Sequence, residues 1–426
     1  MTGPVIDLGE LRHGPDPDLL PRPPRANDRR LRCALLLLLV LVTVTAGAAL
    51  PPRRTVVTLP ARLGADALVD DDLFLIVEPA NTSARQGRLA AYRLPGGAPA
   101  WQAPLSAEAR SWRITPLAGM LLVTGYEIGP VGRETLTVAL DRATGALRWQ
   151  QPGRAIALAD GNLLLHSGGQ TEVSSLRAVD PCCGTVRWQL PPTSAQISFR
   201  DTGHGVDRVV LNPVNAPVEV REASTGAVLA SASLLPPDDG PLGLEAMEDL
   251  LLAVDRGSAT VTAYGLDRLD RRWTRTTGPV EFAANCGPVL CIRTGGGELL
   301  AIDPETGGLR WRTDRWSWGW PYDGRLMVSV SGPGPMVRYL VVDALTGEEL
   351  ADLGRWELYQ VGDARRMVGL RGYPGGGLLV GELDARAGKV RVLDVLPDAT
   401  GDCQAITGHV LCATANSSYQ LWNLPD

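Results

Sequence analysis

One spacing governs this chain. An aspartate, a glycine four residues later and a tryptophan four residues beyond that return at intervals near 40 residues through residues 55–426. The clearest copy is Ala301-Ile-Asp-Pro-Glu-Thr-Gly-Gly-Leu-Arg-Trp311, with Asp303, Gly307 and Trp311 as its fixed points. Asp141, Gly145 and Trp149 repeat it, as do Asp180, Gly184 and Trp188. Looser copies run from Glu222 to Gly226, from Gly265 to Trp273, from Asp343 to Gly347 and from Asp384 to Gly388, and Arg93 precedes Trp101 by the same interval. The anchors at 93, 141, 180, 222, 265, 303, 343 and 384 lie 38 to 48 residues apart. Self-similarity at that period, carried by short strands, is the signature of a propeller.

Each copy reads as a hairpin. Residues 298–303 form a strand, Pro304-Glu-Thr-Gly307 a tight turn and residues 308–312 the returning strand. Asp303 can accept backbone N–H groups across the turn, Pro304 presets its own φ, and Gly307 supplies a left-handed conformation that a β-carbon would oppose. Trp311, large and flat on the returning strand, can wedge between one sheet and the next. The segments between hairpins read as further short strands with Gly-rich turns, so every unit has four. In the third, these are expected at 156–159, 163–165, 173–179 and 185–189.

The pattern Ala-x-Asp-x-x-Thr-Gly-x-x-x-Trp, carried by Ala301 to Trp311 and by Ala139 to Trp149, resembles the tryptophan-docking motif of the PQQ-like β-propeller repeat family. The resemblance spans residues 55–426 and implies an all-β propeller of four-stranded blades. Eight blades are the expected count, the family norm, with nine the alternative. The C-terminal segment 418–424 reads as a third strand without its returning partner, and Thr55-Val-Val-Thr-Leu59 at the other terminus supplies one. Pairing the termini in one sheet would latch the ring. The resemblance says less about function, because the family joins quinone-dependent dehydrogenases to envelope assembly factors that catalyse nothing.

Ahead of the propeller, residues 1–32 are rich in Pro, Asp and Arg and read as a disordered cytoplasmic tail. Residues 33–50 carry no charge and, as a helix rising 1.5 Å per residue, reach about 27 Å, near the minimum for a bilayer core. Arg29, Arg30 and Arg32 immediately precede this run, which places the N-terminus in the cytoplasm and the propeller outside. A signal peptide cleaved near Ala46-Gly-Ala48 is the competing reading. The 32 residues ahead of the apolar run are long for one, so a single-pass signal anchor in the cell membrane is preferred. Residues 51–54 are then a short linker that holds the propeller close to the bilayer.

Cysteine usage fits export. Besides Cys33 there are six, and four fall into hairpin pairs: Cys403 with Cys412 across a Thr407-Gly408 turn, and Cys286 with Cys291 across a turn centred on Pro288-Val289. Cys182 and Cys183 are adjacent and also candidates for a bridge. The resemblance gives that pair a second reading, since some quinone-dependent dehydrogenases hold a vicinal disulfide against the cofactor. Its place in the turn of its repeat favours a structural bridge.

Motifs for chemistry are scarce. There is no phosphate-binding loop with Lys, no His-Glu-x-x-His, no haem-attachment motif and no Gly-x-Ser-x-Gly elbow, so no catalytic or metal-ligating residue is assigned. Asp70-Asp-Asp72 reads as a solvated turn, since consecutive strand residues face opposite ways. Trp316, Trp318 and Trp320 with Tyr322 form the one concentration of aromatics, read either as core packing between blades or as a rim for a peptide, sugar or quinone. The formal charge is +3 over residues 1–54 and −9 over the remainder, which argues against a nucleic-acid partner.

The expected function is a membrane-anchored, non-catalytic binding or scaffold ring for an envelope protein, peptide or glycan, with no cofactor. Two alternatives are a PQQ-dependent oxidoreductase, which would need PQQ and Ca²⁺, and an extracytoplasmic sensor acting through the short tail.

Overall fold

A computed structural model describes Leu38, residues 56–59 and residues 67–424 apart from 79–86, 106–111, 130–131, 169–173, 214–215, 235–242, 256–258, 317, 331–335, 362–365, 407 and 416–418. The expected tail, anchor and linker at 1–54 lie outside these residues, save Leu38. Among the described residues, no helix is long and apolar enough to cross a membrane.

Thr55–Asp426 is one compact unit built from antiparallel strands. In the first sheet Ala67–Asp70, Leu73–Glu78, Arg88–Arg93 and Ala98–Pro104 pair in chain order. The same plan recurs along the chain. The expected third unit is observed as Arg154–Ala157, Leu163–Ser167, Ser175–Val179 and Val186–Gln189.

The described residues form nine such four-stranded units, which corrects the expected eight. Hydrogen bonding links them into eight sheets because the seventh and eighth units share the strand Glu349–Val361. Its first part, through Trp356, pairs with Val337–Asp343, and its second, from Glu357, pairs with Arg366–Gly372. The hairpin period misses the ninth unit because that unit has no third-to-fourth turn. Its strands are Ala399–Ile406, His409–Thr414, Tyr419–Asn423 and, from the other terminus, Val56–Leu59, with Val56 opposite Trp422 and Leu59 opposite Tyr419.

Alternating faces build the core. On Leu73–Glu78, the side chains of Leu73, Leu75 and Val77 join Leu121, Val123 and Val138 of the second unit. Phe74 and Ile76, pointing the other way, join Leu411, Tyr419 and Leu421 of the ninth. Each later unit shares an apolar layer with the next in the same manner, so the series of interfaces returns to its start. First strands of neighbouring units approach one another, as Gly243–Met247 does both Ala195–Asp201 and Val280–Asn285. The Ala246 amide donates to Ser198 Oγ at 3.0 Å, and Gln404 of the ninth unit donates to the Ala67 carbonyl of the first at 2.9 Å. The first strands are thus the converging, inner edges, and the hairpins of the repeat motif lie outward.

Candidate functional site

The repeat motif works between units. The indole N–H of Trp101 donates to the carbonyl of Arg142 in the next unit's turn at 3.0 Å, Trp149 to Pro181 at 2.8 Å and Trp188 to Ser224 at 2.9 Å. Trp273 and Trp311 repeat the contact with Pro304 and Ala344, both at 2.8 Å. The motif glycine of that next turn lies under the ring. A β-carbon on Gly307 would come within 2.6 Å of the Trp273 indole, and φ is +69° there, so this position requires glycine twice over.

The motif aspartate ties its own turn. Asp303 Oδ1 accepts the amides of Glu305 and Thr306 and the Thr306 hydroxyl, while Oδ2 pairs with Arg310. Asp141 is held alike by Ala143, Thr144 and Arg148, and Asp343 by Leu345 and Thr346. The Thr306 amide, with Arg310, holds the Asp303 carboxyl down to about 2, and Arg148 followed by Thr144 does the same for Asp141. Asp384 keeps one such bond, from the Ala387 amide, and Gly388 sits beneath Ala351 instead of a tryptophan.

Five interfaces carry this dock, and two of the others show what replaces it. Where the fourth unit should offer tryptophan it has Ala230, and the matching glycine of the fifth unit's turn is Leu269, held at φ +55°. Leu269 and Leu266 pack into the layer that Ala230 borders, so the leucines fill the volume of the missing ring. Between the seventh and eighth units Trp356, 2% exposed, takes over from Ala351; its indole N–H bonds the Leu353 carbonyl and Gly369 and Gly381 lie against its ring. No motif spacing pointed to Trp356.

The aromatic cluster is divided among several environments. Trp316 is 3% exposed, edge-on to Trp311 at 5.6 Å in the layer between the sixth and seventh units. Trp320 and Tyr322 pack toward the eighth unit, where burial pushes the Tyr322 phenol up to about 12. Trp318, on the inner strand Trp318–Tyr322, lies against the ring of Phe282 at 4.6 Å, tilted by 54°. A cleft of about 760 Å³ beside Tyr322 is lined by Asp323, Glu382, Asp384 and Arg386. Two of its three carboxylates are ion-paired, Asp323 with Arg386 at 2.9 Å and Glu382 with Arg391 at 2.7 Å. Asp70, Asp71 and Asp72 gather around one guanidinium, that of Arg142 from the second unit, at 2.5, 3.1 and 3.3 Å. They are therefore a unit-to-unit tether rather than a merely solvated turn.

The three cysteine pairs are bridged. Ile406 opposes His409, which leaves the expected two-residue connection beside Cys403–Cys412. At Cys286–Cys291 the register differs from expectation: Cys291 opposes Ala284, and the Cys286 amide bonds the Val289 carbonyl at 3.0 Å, so the turn centres on Gly287-Pro288. Cys182–Cys183 occupies the outward hairpin of the third unit, away from the inner strands.

A tryptophan of one blade docked on the Asp-to-Gly turn of the next defines the tryptophan-docked propellers. The chain belongs to the PQQ-like β-propeller repeat family: the family described as outer membrane protein assembly factor BamB matches residues 85–265 and 215–396. Among solved structures, BamB from Moraxella catarrhalis is 15% identical with a TM-score of 0.40, covering 74% of this chain and 99% of that one. A eukaryotic initiation factor structure is 12% identical with a TM-score of 0.52, covering 79% and 90%. At such identity the likeness is one of fold. A search of curated protein sequences finds no relative.

Proposed function

We propose that this chain is a membrane-anchored, extracytoplasmic propeller, closed by its terminal strands, that binds an envelope protein or peptide and catalyses nothing. The observation that carries the reading is an apolar side chain left in solvent at one repeat position, two residues after the motif glycine on the outer strand. Leu147, Val186, Val228 and Leu309 hold it, at 61, 43, 48 and 39% exposure. Leu229, Leu350 and Val392 add exposed apolar surface on equivalent outer strands. Apolar groups repeated on the second, third, fourth and sixth blades suit a protein-facing rim. The family description, an assembly factor of outer membrane proteins, points to the same kind of partner. The uncharged run at 33–50 behind Arg29, Arg30 and Arg32 supports the anchor and its orientation.

The test uses the full chain in native membranes with a photo-crosslinking residue at position 228, on the same rim. A discrete adduct is expected, lost in L147E/V186E/L309E while the melting temperature holds. Equal labelling by the triple variant would overturn the reading, as would saturable binding of PQQ with Ca²⁺ to the purified chain.

A further inference from the structure

The third unit's turn, Asp180-Pro-Cys-Cys-Gly184, differs from its sisters in one chemical respect. Where the Asp141, Asp303 and Asp343 turns place a threonine whose amide and hydroxyl fill the aspartate, this turn has Cys183. Asp180 Oδ1 accepts the Cys182 amide at 3.0 Å, and Oδ2 has Arg187 at 3.8 Å, where the equivalent Arg148 reaches Asp141 at 2.7 Å. The carboxylate is thus held more loosely than those of its sisters. Beside it stand two exposed sulfurs, and the three donor atoms lie within 4.8 Å of one another.

We propose that this turn is a redox-gated site for a thiophilic divalent cation. In the disulfide state neither sulfur is a thiolate, and no cation is held. A dithiol reductant delivers two electrons and two protons to the S–S bond, giving two thiols and leaving the reductant as its own disulfide. The cation then displaces both protons and binds two thiolates with the Asp180 carboxylate, a water completing a tetrahedron. Sulfurs on a common zinc lie about 3.8 Å apart when each bond is about 2.3 Å, which the donor cluster accommodates. Selectivity for this pair comes from exposure. Cys286, Cys291 and Cys412 are 1, 2 and 0% exposed and Cys403 is partly buried, whereas Cys182 and Cys183 are open to a reductant. The inference is independent of the partner-binding reading.

The full chain is treated with a mild phosphine or dithiol, its new thiols are mapped by mass, and Cd²⁺ then Zn²⁺ are titrated by calorimetry and by thiolate-to-metal absorption. New thiols at 182 and 183 alone, and one Cd²⁺ more per reduced chain than per oxidised chain, are expected, with D180N weakening that binding about tenfold. The control C182A/C183T rebuilds the sister turn, should melt as the parent does, and should take no additional Cd²⁺. Thiols appearing first elsewhere, a reduced chain that takes no additional Cd²⁺, or equal uptake by C182A/C183T would each overturn the proposal.

Discussion

At the residue scale, stability rests on pairs that span two units. Trp273→Ala removes an 8%-exposed indole and its bond to Pro304, and should cost about 3 kcal/mol in chemical denaturation. Gly307→Ala places a methyl against the same ring at positive φ and should cost about 2 kcal/mol. The exceptional interface provides a stricter test. Ala230→Trp alone meets Leu269, and Leu269→Gly alone leaves a void, but together they rebuild the docking geometry. The double variant should exceed the sum of the singles by about 1 kcal/mol or more, and strict additivity would show that the two positions do not share one volume.

Acid sensitivity belongs to the same scale. Asp141, Asp303 and Asp343 sit below the ordinary carboxylate range when folded, Asp141 held by Arg148 and then Thr144, Asp303 by the Thr306 amide and Arg310, and Asp343 by the Thr346 amide and hydroxyl with a smaller pull from Arg325. A depressed folded pKa contributes stability above the unfolded value, near 4, and loses it as pH falls through the folded one. Melting temperature should hold from pH 7 to about 4 and fall from there toward 2. In D141N/D303N/D343N the acid limb should be shallower, and an unchanged limb would assign the effect to other groups.

At the scale of the element, the outward hairpin was the legible part. Asp, Gly and Trp announce it because a turn that needs positive φ and a ring that needs a flat bed leave few residue choices. Inner strands show only alternation, and the ninth unit, which lacks the hairpin motif, was legible only through the unpartnered C-terminal segment and its complement at the other end of the chain. Trp356 was unreadable for a related reason: it lies five residues past the motif position, on a strand that continues into the next unit. The aromatic cluster was legible only in part, since spacing two apart left core packing and a rim both open without saying which neighbour covers each ring. Hairpin cysteines were readable from loop length. Replacing Cys403 and Cys412 by serine should cost about 2–3 kcal/mol, measured as a denaturation midpoint without reductant.

At the scale of the whole molecule, neighbouring units share one apolar layer after another, and the sheet holding both termini is the place where chain continuity does not secure them. Its strands Val56–Leu59 and Tyr419–Asn423 are antiparallel, with Val56 opposite Trp422 and Leu59 opposite Tyr419. Tension applied between the two ends therefore loads one rung at a time, beginning at Val56 and Trp422, and the pair peels like a zipper. Pulled instead from Leu59 and Asn423, the same four rungs share the load along the strand axis. Single-molecule extension should open the end-loaded domain at distinctly lower force than the axially loaded one. A propeller hung by its first strand would then yield at that seam well before any blade unravels.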